Sequence, residues 1–476
     1  MQEEFLILSR NTKEVFKKII DDAVSAITST IDSANAFSGI NPYALRSIIS
    51  KKEILPACGV GWRSVMEDIN HDVLPHMLRS WDPSYMPHLH SPALIESIAS
   101  ELIIASFNNS MDSWDQSPVQ TEIEEKVIKT LTSLFGYDDN GDGTFTSGGS
   151  QSNLAAITAH RDSFLMKGGW DVKKNGLPPY FDKLRIYTSE ISHFSMEKSA
   201  HLLGLGYKSV VKLPVDGKCS IDIIKAEEII KSDVDKGLIP FLFVATIGTT
   251  DFGSIDDIEK IRKICNRYKM FLHSDAAYGS GAIMSSRYSD RLGPLYLSDS
   301  ITIDFHKMFL LPISCSAVIF KDKKELECFA LHADYLNREE DEEDGYINLV
   351  SKSIQTTRRS DAFKVYLSFM MRGKNGFASI IDHDIEIASY FYNKISSDPL
   401  FLAPVSPRLS SVVFKVNKSD NVNKRIRRAL LEKGIIIGQT VYNGSVMLKF
   451  TLLNPEINEE KIDFLIEEIK KLSEKF

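Results

Sequence analysis

The chain has 476 residues, 43% hydrophobic and 25% charged, with a formal net charge of −8; that composition suits a globular protein of two or three domains, and the negative balance argues against nucleic acid as its main partner. No apolar run approaches the roughly 18–20 residues that cross a bilayer, and the acidic start Met1-Gln2-Glu3-Glu4 lacks a basic leader, so no membrane association is expected. Five cysteines, at 58, 219, 265, 315 and 328, include no Cys-x-x-Cys pair, which points away from zinc or disulfide frameworks and toward a reducing cytoplasm.

Residues 1–75 read as helices joined by loops. Over 14–31, Val15, Phe16, Ile19, Ile20, Val24 and Ile27 recur at roughly helical spacing. This segment has little core of its own and is expected to pack on another domain or subunit. The run Pro83-Ser84-Tyr85-Met86-Pro87-His88-Leu89-His90-Ser91-Pro92 cannot form a regular helix. Its histidines suit either a site lining or a surface loop. Helices are predicted over 93–107 and 122–135, with a loop carrying Trp114 between them.

From about 140 to 322 short β-rich runs alternate with helical ones. The runs at 185–188, 241–248, 270–273, 300–303 and 317–320 are apolar on both faces. That pattern predicts an α/β class, with a parallel sheet covered by helices. A long helix is predicted over 354–371. The tail reads as a smaller α+β unit, with strands at 411–416 and 446–452 and a closing helix bearing Ile462, Leu465, Ile466, Ile469 and Leu472.

Five short stretches could carry chemistry. Thr146-Ser147-Gly148-Gly149-Ser150-Gln151-Ser152-Asn153 precedes a helical run, Leu154-Ala155-Ala156-Ile157-Thr158-Ala159. Its glycines let the backbone approach an anion, Ser150 can donate to an oxygen, and the helix start adds about half a positive charge, so a phosphate fits. The stretch is neither a G-x-G-x-x-G nor a P-loop. His193 follows a strand end and could stack on an aromatic ligand. Thr246 ends another strand with a hydroxyl. Asp275 sits where a strand ends among small residues, the edge at which open α/β sheets bind ligands, and could face a protonated ring nitrogen. Lys307 follows Asp304-Phe305-His306 and precedes Met308, Phe309, Leu310 and Leu311. A lysine in apolar company is costly to keep as a cation, which is how a Schiff-base lysine is prepared. Taken singly, each also has a plain structural reading: a tight turn, a structural histidine, a turn aspartate, a lysine snorkelling to solvent.

In this order the stretches 146–153, 189–198, 244–250, 273–278 and 300–307 resemble the fold-type I pyridoxal-phosphate enzymes, and within them the group II amino-acid decarboxylases. The resemblance runs from about residue 75 to the end. It implies a mostly parallel central sheet flanked by helices, pyridoxal 5′-phosphate as cofactor, an amino acid as small-molecule substrate, and a homodimer with active sites at the interface. It also implies an N-terminal helical segment (1–75) packing on the partner subunit, a large cofactor-binding domain (76–372) and a small C-terminal α+β domain (373–476). By position, Lys307 matches the Schiff-base lysine, Asp275 the pyridinium partner, and His193 the ring-stacking residue near the substrate carboxylate. Gly149, Ser150, Ser300 and His306 match phosphate contacts, and Thr246 lies close to the ring. Tyr335, beside the acidic run 339–344, matches a mobile-loop tyrosine that delivers a proton after CO2 leaves. The family often has Asn-Pro-His-Lys where this chain has Asp304-Phe305-His306-Lys307; a carboxylate beside phosphate would be repulsive, so Asp304 has no phosphate role.

The stretches 332–338, 353–359 and 448–454 resemble a subgroup acting on lysine, ornithine or 2,4-diaminobutyrate, several members of which serve siderophore assembly. Aromatic decarboxylases carry small hydroxyl residues where this chain has His88-Leu89-His90, which makes His88, His90 and Trp114 the substrate-pocket candidates. An aromatic or acidic amino-acid decarboxylase, or an aldehyde synthase on the same fold, is the alternative.

Overall fold

The computed structural model describes residues 10–31, 35–331 and 344–476. In chain order the strands are β1 (Tyr85–Met86), β2 (Asp142–Thr146), β3 (Leu184–Ser189), β4 (Val210–Leu213), β5 (Ile239–Thr246), β6 (Phe271–Asp275), β7 (Ser300–Asp304), β8 (Ser316–Phe320), β9 (Phe401–Leu402), β10 (Ser411–Val416), β11 (Ile436–Tyr442) and β12 (Ser445–Thr451).

Seven of them form the central sheet in the order β2-β8-β7-β6-β5-β3-β4. Neighbours from β7 through to β4 run parallel, and β8 is antiparallel to both β2 and β7. The doubly apolar strand pattern follows from burial on both faces. Along β5, Phe243 and Ala245 enter one apolar core while Leu242 and Val244 enter another. Parallel pairing then brings strand ends together, with Thr246 opposite Asp275 and Asp275 opposite Thr302. The α/β expectation and its mostly parallel sheet hold.

A five-stranded sheet follows the order β1-β11-β12-β10-β9. Its first member comes from far upstream, because β1 pairs in parallel with β11, Tyr85 opposite Ile436. That pairing anchors the Pro- and His-rich run. Behind the sheet, Phe391 stacks on Phe450 at 4.6 Å between ring centroids and meets Phe414 edge-on.

The helix predicted over 354–371 instead spans Asp361–Ser396 and is interrupted at Gly373, whose φ of 59° suits glycine. Its start is delayed because Arg358 is buried and donates two hydrogen bonds to Glu124, at 2.8 and 2.5 Å. The expected boundary at 372/373 falls at the glycine break, whereas the helix changes from one apolar core to the other between Ile385 and Ile387.

Asp384 lies on this helix, wholly buried, and neither of its carboxylate oxygens has a hydrogen-bond partner among the described residues. Burial pushes its carboxyl well above the ordinary 3.8. The folded chain therefore holds a proton that the unfolded chain has released. This costs nothing below about pH 4, where both states are protonated, and above it lowers stability by about 1.4 kcal/mol per pH unit until the buried group ionises. Asp384→Asn should remove this slope. In denaturant unfolding from pH 4 to 8, the variant should gain on the parent as pH rises; parallel curves would count against it.

Candidate active site

The C-terminal ends of the parallel strands and the start of the helix Gly149–Lys167 enclose a cavity of about 470 Å³. Gly149, Ser150, His193, Thr246, Asp275, His306 and Lys307 all line it. Gly149 is required by a close approach, since a Cβ there would lie 2.9 Å from Asp304 Oδ2 and 3.3 Å from Ala277 Cβ. The helix start and the loop before it thus sit directly on the strand ends, with backbone N–H groups available to an anion.

Lys307 lies within the turn after β7, and its Nζ lies 2.9 Å from Asp304 Oδ2. Asp304 is 2% exposed and accepts a 2.5 Å hydrogen bond from Ser316 Oγ. Burial works to raise its carboxyl, but Lys307, His306 and Ser316 outweigh that and hold it below the usual carboxylate range. The residue excluded from a phosphate role is therefore the counter-ion of the lysine. His306 Nδ1 lies 3.0 Å from the Cys315 carbonyl oxygen, which fixes the ring at the cavity edge.

Asp275 Oδ1 accepts from the Ala277 N–H at 3.2 Å, and Oδ2 accepts from Asn153 Nδ2 at 3.0 Å. His193 Nδ1 accepts from the Ser195 N–H at 3.2 Å. Burial lowers the His193 pKa against the pull of Asp275, favouring a neutral ring suited to stacking. Thr246 Oγ1 is buried at the cavity wall with no hydrogen-bond partner among the described residues. Such an orphan needs a partner from the cavity.

The structure moves several expected site residues. Ser300 opens β7, about 13 Å along the strand from the cavity end. Its hydroxyl is wholly buried, 2.7 Å from both His160 Nε2 and His273 Nδ1, so it does not contact a phosphate at this cavity. Of the run 88–90, it is Leu89 that lines the cavity. His88 lies among Lys449, Arg427 and Asp251, and burial lowers its pKa. His90 packs edge-on against Tyr85 at 5.6 Å. Trp114 Nε1 donates to Glu122 Oε1 at 2.9 Å, and its ring meets Tyr346 outside the cavity. Tyr335 lies outside the described residues.

The sequence reading gave no role to Asn153, which bonds Asp275 and Ser195 from the first turn of the helix. The available signal was its position three residues after Ser150, on the same helix face, ahead of an apolar run.

A sequence model of the pyridoxal-dependent decarboxylase conserved domain matches residues 46–417. The chain belongs to the pyridoxal-dependent decarboxylases. This decarboxylase is 34% identical over 473 residues to an L-2,4-diaminobutyrate decarboxylase of Acinetobacter baumannii, covering 95% of this chain and 92% of that one. It is 33% identical over 477 residues to an L-2,4-diaminobutyrate decarboxylase of Rhizobium meliloti (strain 1021), covering 98% and 93%. Among solved structures it resembles the glutamate decarboxylase domain of diaminobutyrate-pyruvate transaminase and L-2,4-diaminobutyrate decarboxylase from Vibrio parahaemolyticus. That match has a TM-score of 0.91 at 33% identity, covering 100% of this chain and 98% of that one. The enzyme is a carboxy-lyase that uses pyridoxal phosphate, and its cavity fits that cofactor. A helix start for the phosphate, an orphaned hydroxyl at Thr246, a carboxylate at Asp275 and an amine at Lys307 share one lining.

Proposed function

We propose that this decarboxylase acts on a diamino acid, with L-2,4-diaminobutyrate ahead of ornithine and lysine, releasing CO2 and leaving 1,3-diaminopropane from the first of these. The observation that carries the reading is the 33–34% identity, over nearly the whole chain, to two relatives that bear that activity in their names.

In this reading Lys307 holds the cofactor through a Schiff base, and Asp275 keeps the ring nitrogen protonated by an ion pair. The start of the helix, through Gly149 and Ser150, and His306 hold the phosphate. His193 stacks on the ring, and Thr246 supplies its unpaired hydroxyl. Bound pyridoxal phosphate supplies an electron sink for the pair left on Cα when CO2 departs. The chain's own part is to orient the Cα–carboxylate bond and to keep water out.

A CO2-release panel over diaminobutyrate, ornithine, lysine, glutamate and aromatic amino acids tests the substrate. The highest kcat/KM is expected for diaminobutyrate. A preference for glutamate or an aromatic substrate would overturn the reading, and peroxide with ammonia instead of amine would make the enzyme an aldehyde synthase.

A homodimer is part of the same proposal. Exposed apolar side chains such as Ile54, Leu55, Ile95 and Phe107 support it, and sedimentation at the monomer mass would end it. The diamine is proposed to feed siderophore assembly in the cytoplasm; a deletion strain with undiminished siderophore output would remove that role.

A further inference from the structure

Behind Asp275, away from the cavity, a file of buried polar side chains runs between the helix Gly149–Lys167 and strands β6 and β7. Asn153 Nδ2 donates to Asp275 Oδ2 at 3.0 Å. Asn153 Oδ1 lies 3.0 Å from His273 Nε2 and accepts from Thr302 Oγ1 at 2.8 Å. His273 Nδ1 lies 2.7 Å from Ser300 Oγ, which lies 2.7 Å from His160 Nε2. His160 Nδ1 ends the file 3.4 Å from Glu325 Oε2, and Glu325 Oε1 accepts from Ser163 Oγ at 2.9 Å. From Asn153 to His160 every member is at most 1% exposed.

Counting donors and acceptors fixes the direction of each link. Asp275 only accepts, so Asn153 turns its NH2 to it and its oxygen to His273. His273 must then carry its proton on Nε2, and burial keeps the ring neutral, its pKa pushed down to about 3. Its Nδ1 is therefore an acceptor, and the Ser300 hydroxyl donates to it. The Ser300 oxygen in turn accepts from His160 Nε2–H. His160 Nδ1 and Glu325 Oε2 face each other at 3.4 Å, and neither has a hydrogen-bond partner among the described residues. From His160 through Ser300 and His273 to Asn153, each hydrogen bond thus points at Asp275 and polarises the next. The His160 ring is itself fixed, stacked on Phe271 at 4.5 Å and edge-on to Phe320 at 5.7 Å.

We propose that His160, which lies beside Glu325, is a positioning residue for Asp275: through Ser300, His273 and Asn153 it fixes the carboxylate that meets the cofactor ring. The inference rests on the reading of Asp275 as ring partner. It gives Ser300 a role at the end of β7 away from the cavity, where its hydroxyl joins two imidazoles.

The test titrates apo-protein with pyridoxal phosphate and records the visible band of the bound cofactor, together with the melting temperature of the apo form. His160→Leu should weaken cofactor binding by about tenfold and shift the band. His160→Gln, which keeps an N–H toward Ser300, should restore both. Should His160→Leu fold poorly, Glu325→Gln replaces the carboxylate beside His160 Nδ1 at the cavity-remote end and should weaken binding several-fold. A loss of melting temperature alone, with affinity and band unchanged in both His160→Leu and Glu325→Gln, would reduce the file to a structural network and overturn the proposal. Asp275→Ala is the control. If it shifts affinity and band while the relay variants do not, the relay alone fails; if it shifts neither, the ring-partner reading fails and takes the relay with it.

Discussion

Lys307→Ala is expected to eliminate the covalently held cofactor and to lower kcat by at least about a thousandfold, while the fold persists. The lysine sits in a turn at the end of β7 and its amine reaches the cavity, so truncation removes no strand pairing. What goes is the only group in this reading that forms a bond to the cofactor, and with it the positioned amine at the cavity. Each such contribution is typically worth about 10²–10⁴ in rate. Borohydride treatment followed by peptide mass mapping gives the direct check. The parent should gain a reduced pyridoxyl label on the peptide containing Lys307, and the alanine variant should gain none. A label elsewhere, or undiminished CO2 release from the variant, would remove Lys307 from the chemistry. Asp304 should be left as a buried carboxylate without its ammonium, so the variant is also expected to lose some stability.

Asp275→Ala should abolish most activity in a protein that still folds. The carboxylate is 5% exposed, and its task in this reading is to face a ring cation inside the cavity. Removing one partner of a buried ion pair costs about 3–5 kcal/mol, which corresponds to a loss of roughly 10²–10³·⁵ in kcat/KM. The fold should survive because Asn153 keeps its contacts to His273, Thr302 and Ser195. Far-UV circular dichroism and melting establish folding, and steady-state CO2 release gives the rate. Turnover near the parent's would leave the ring nitrogen without its assigned partner. Asp275→Asn should fall between the two, since an amide fills the space without the charge.

Much of the site could be read before any coordinates because parallel strands convert local order into shared position. Each apolar run ended in one conspicuous polar residue, namely Thr246, Asp275 and the Asp304–Lys307 turn. A parallel sheet must bring such ends to one edge. The Gly-Gly-Ser helix start was legible for a similar reason, since glycine at a strand-to-helix turn signals a close approach. The short β4 and the half-buried β11 were not legible, because neither has a long enough apolar run to stand apart from its flanks.

The sequence by itself thus determined the fold class, the phosphate-type helix start, and the cavity positions of His193, Thr246, Asp275, His306 and Lys307, since those follow from local pattern and strand polarity. Tertiary structure alone decided three further matters. It turned Leu89, in place of His88 or His90, into the cavity, through a pairing of β1 with a strand some 350 residues on. It put Ser300 at the wrong end of its strand for a phosphate, and it gave Asn153 and Asp304 partners that no spacing announces. Side-chain direction and long-range partners depend on which elements pack together, and a chain read one residue at a time does not contain that information until the whole core has formed.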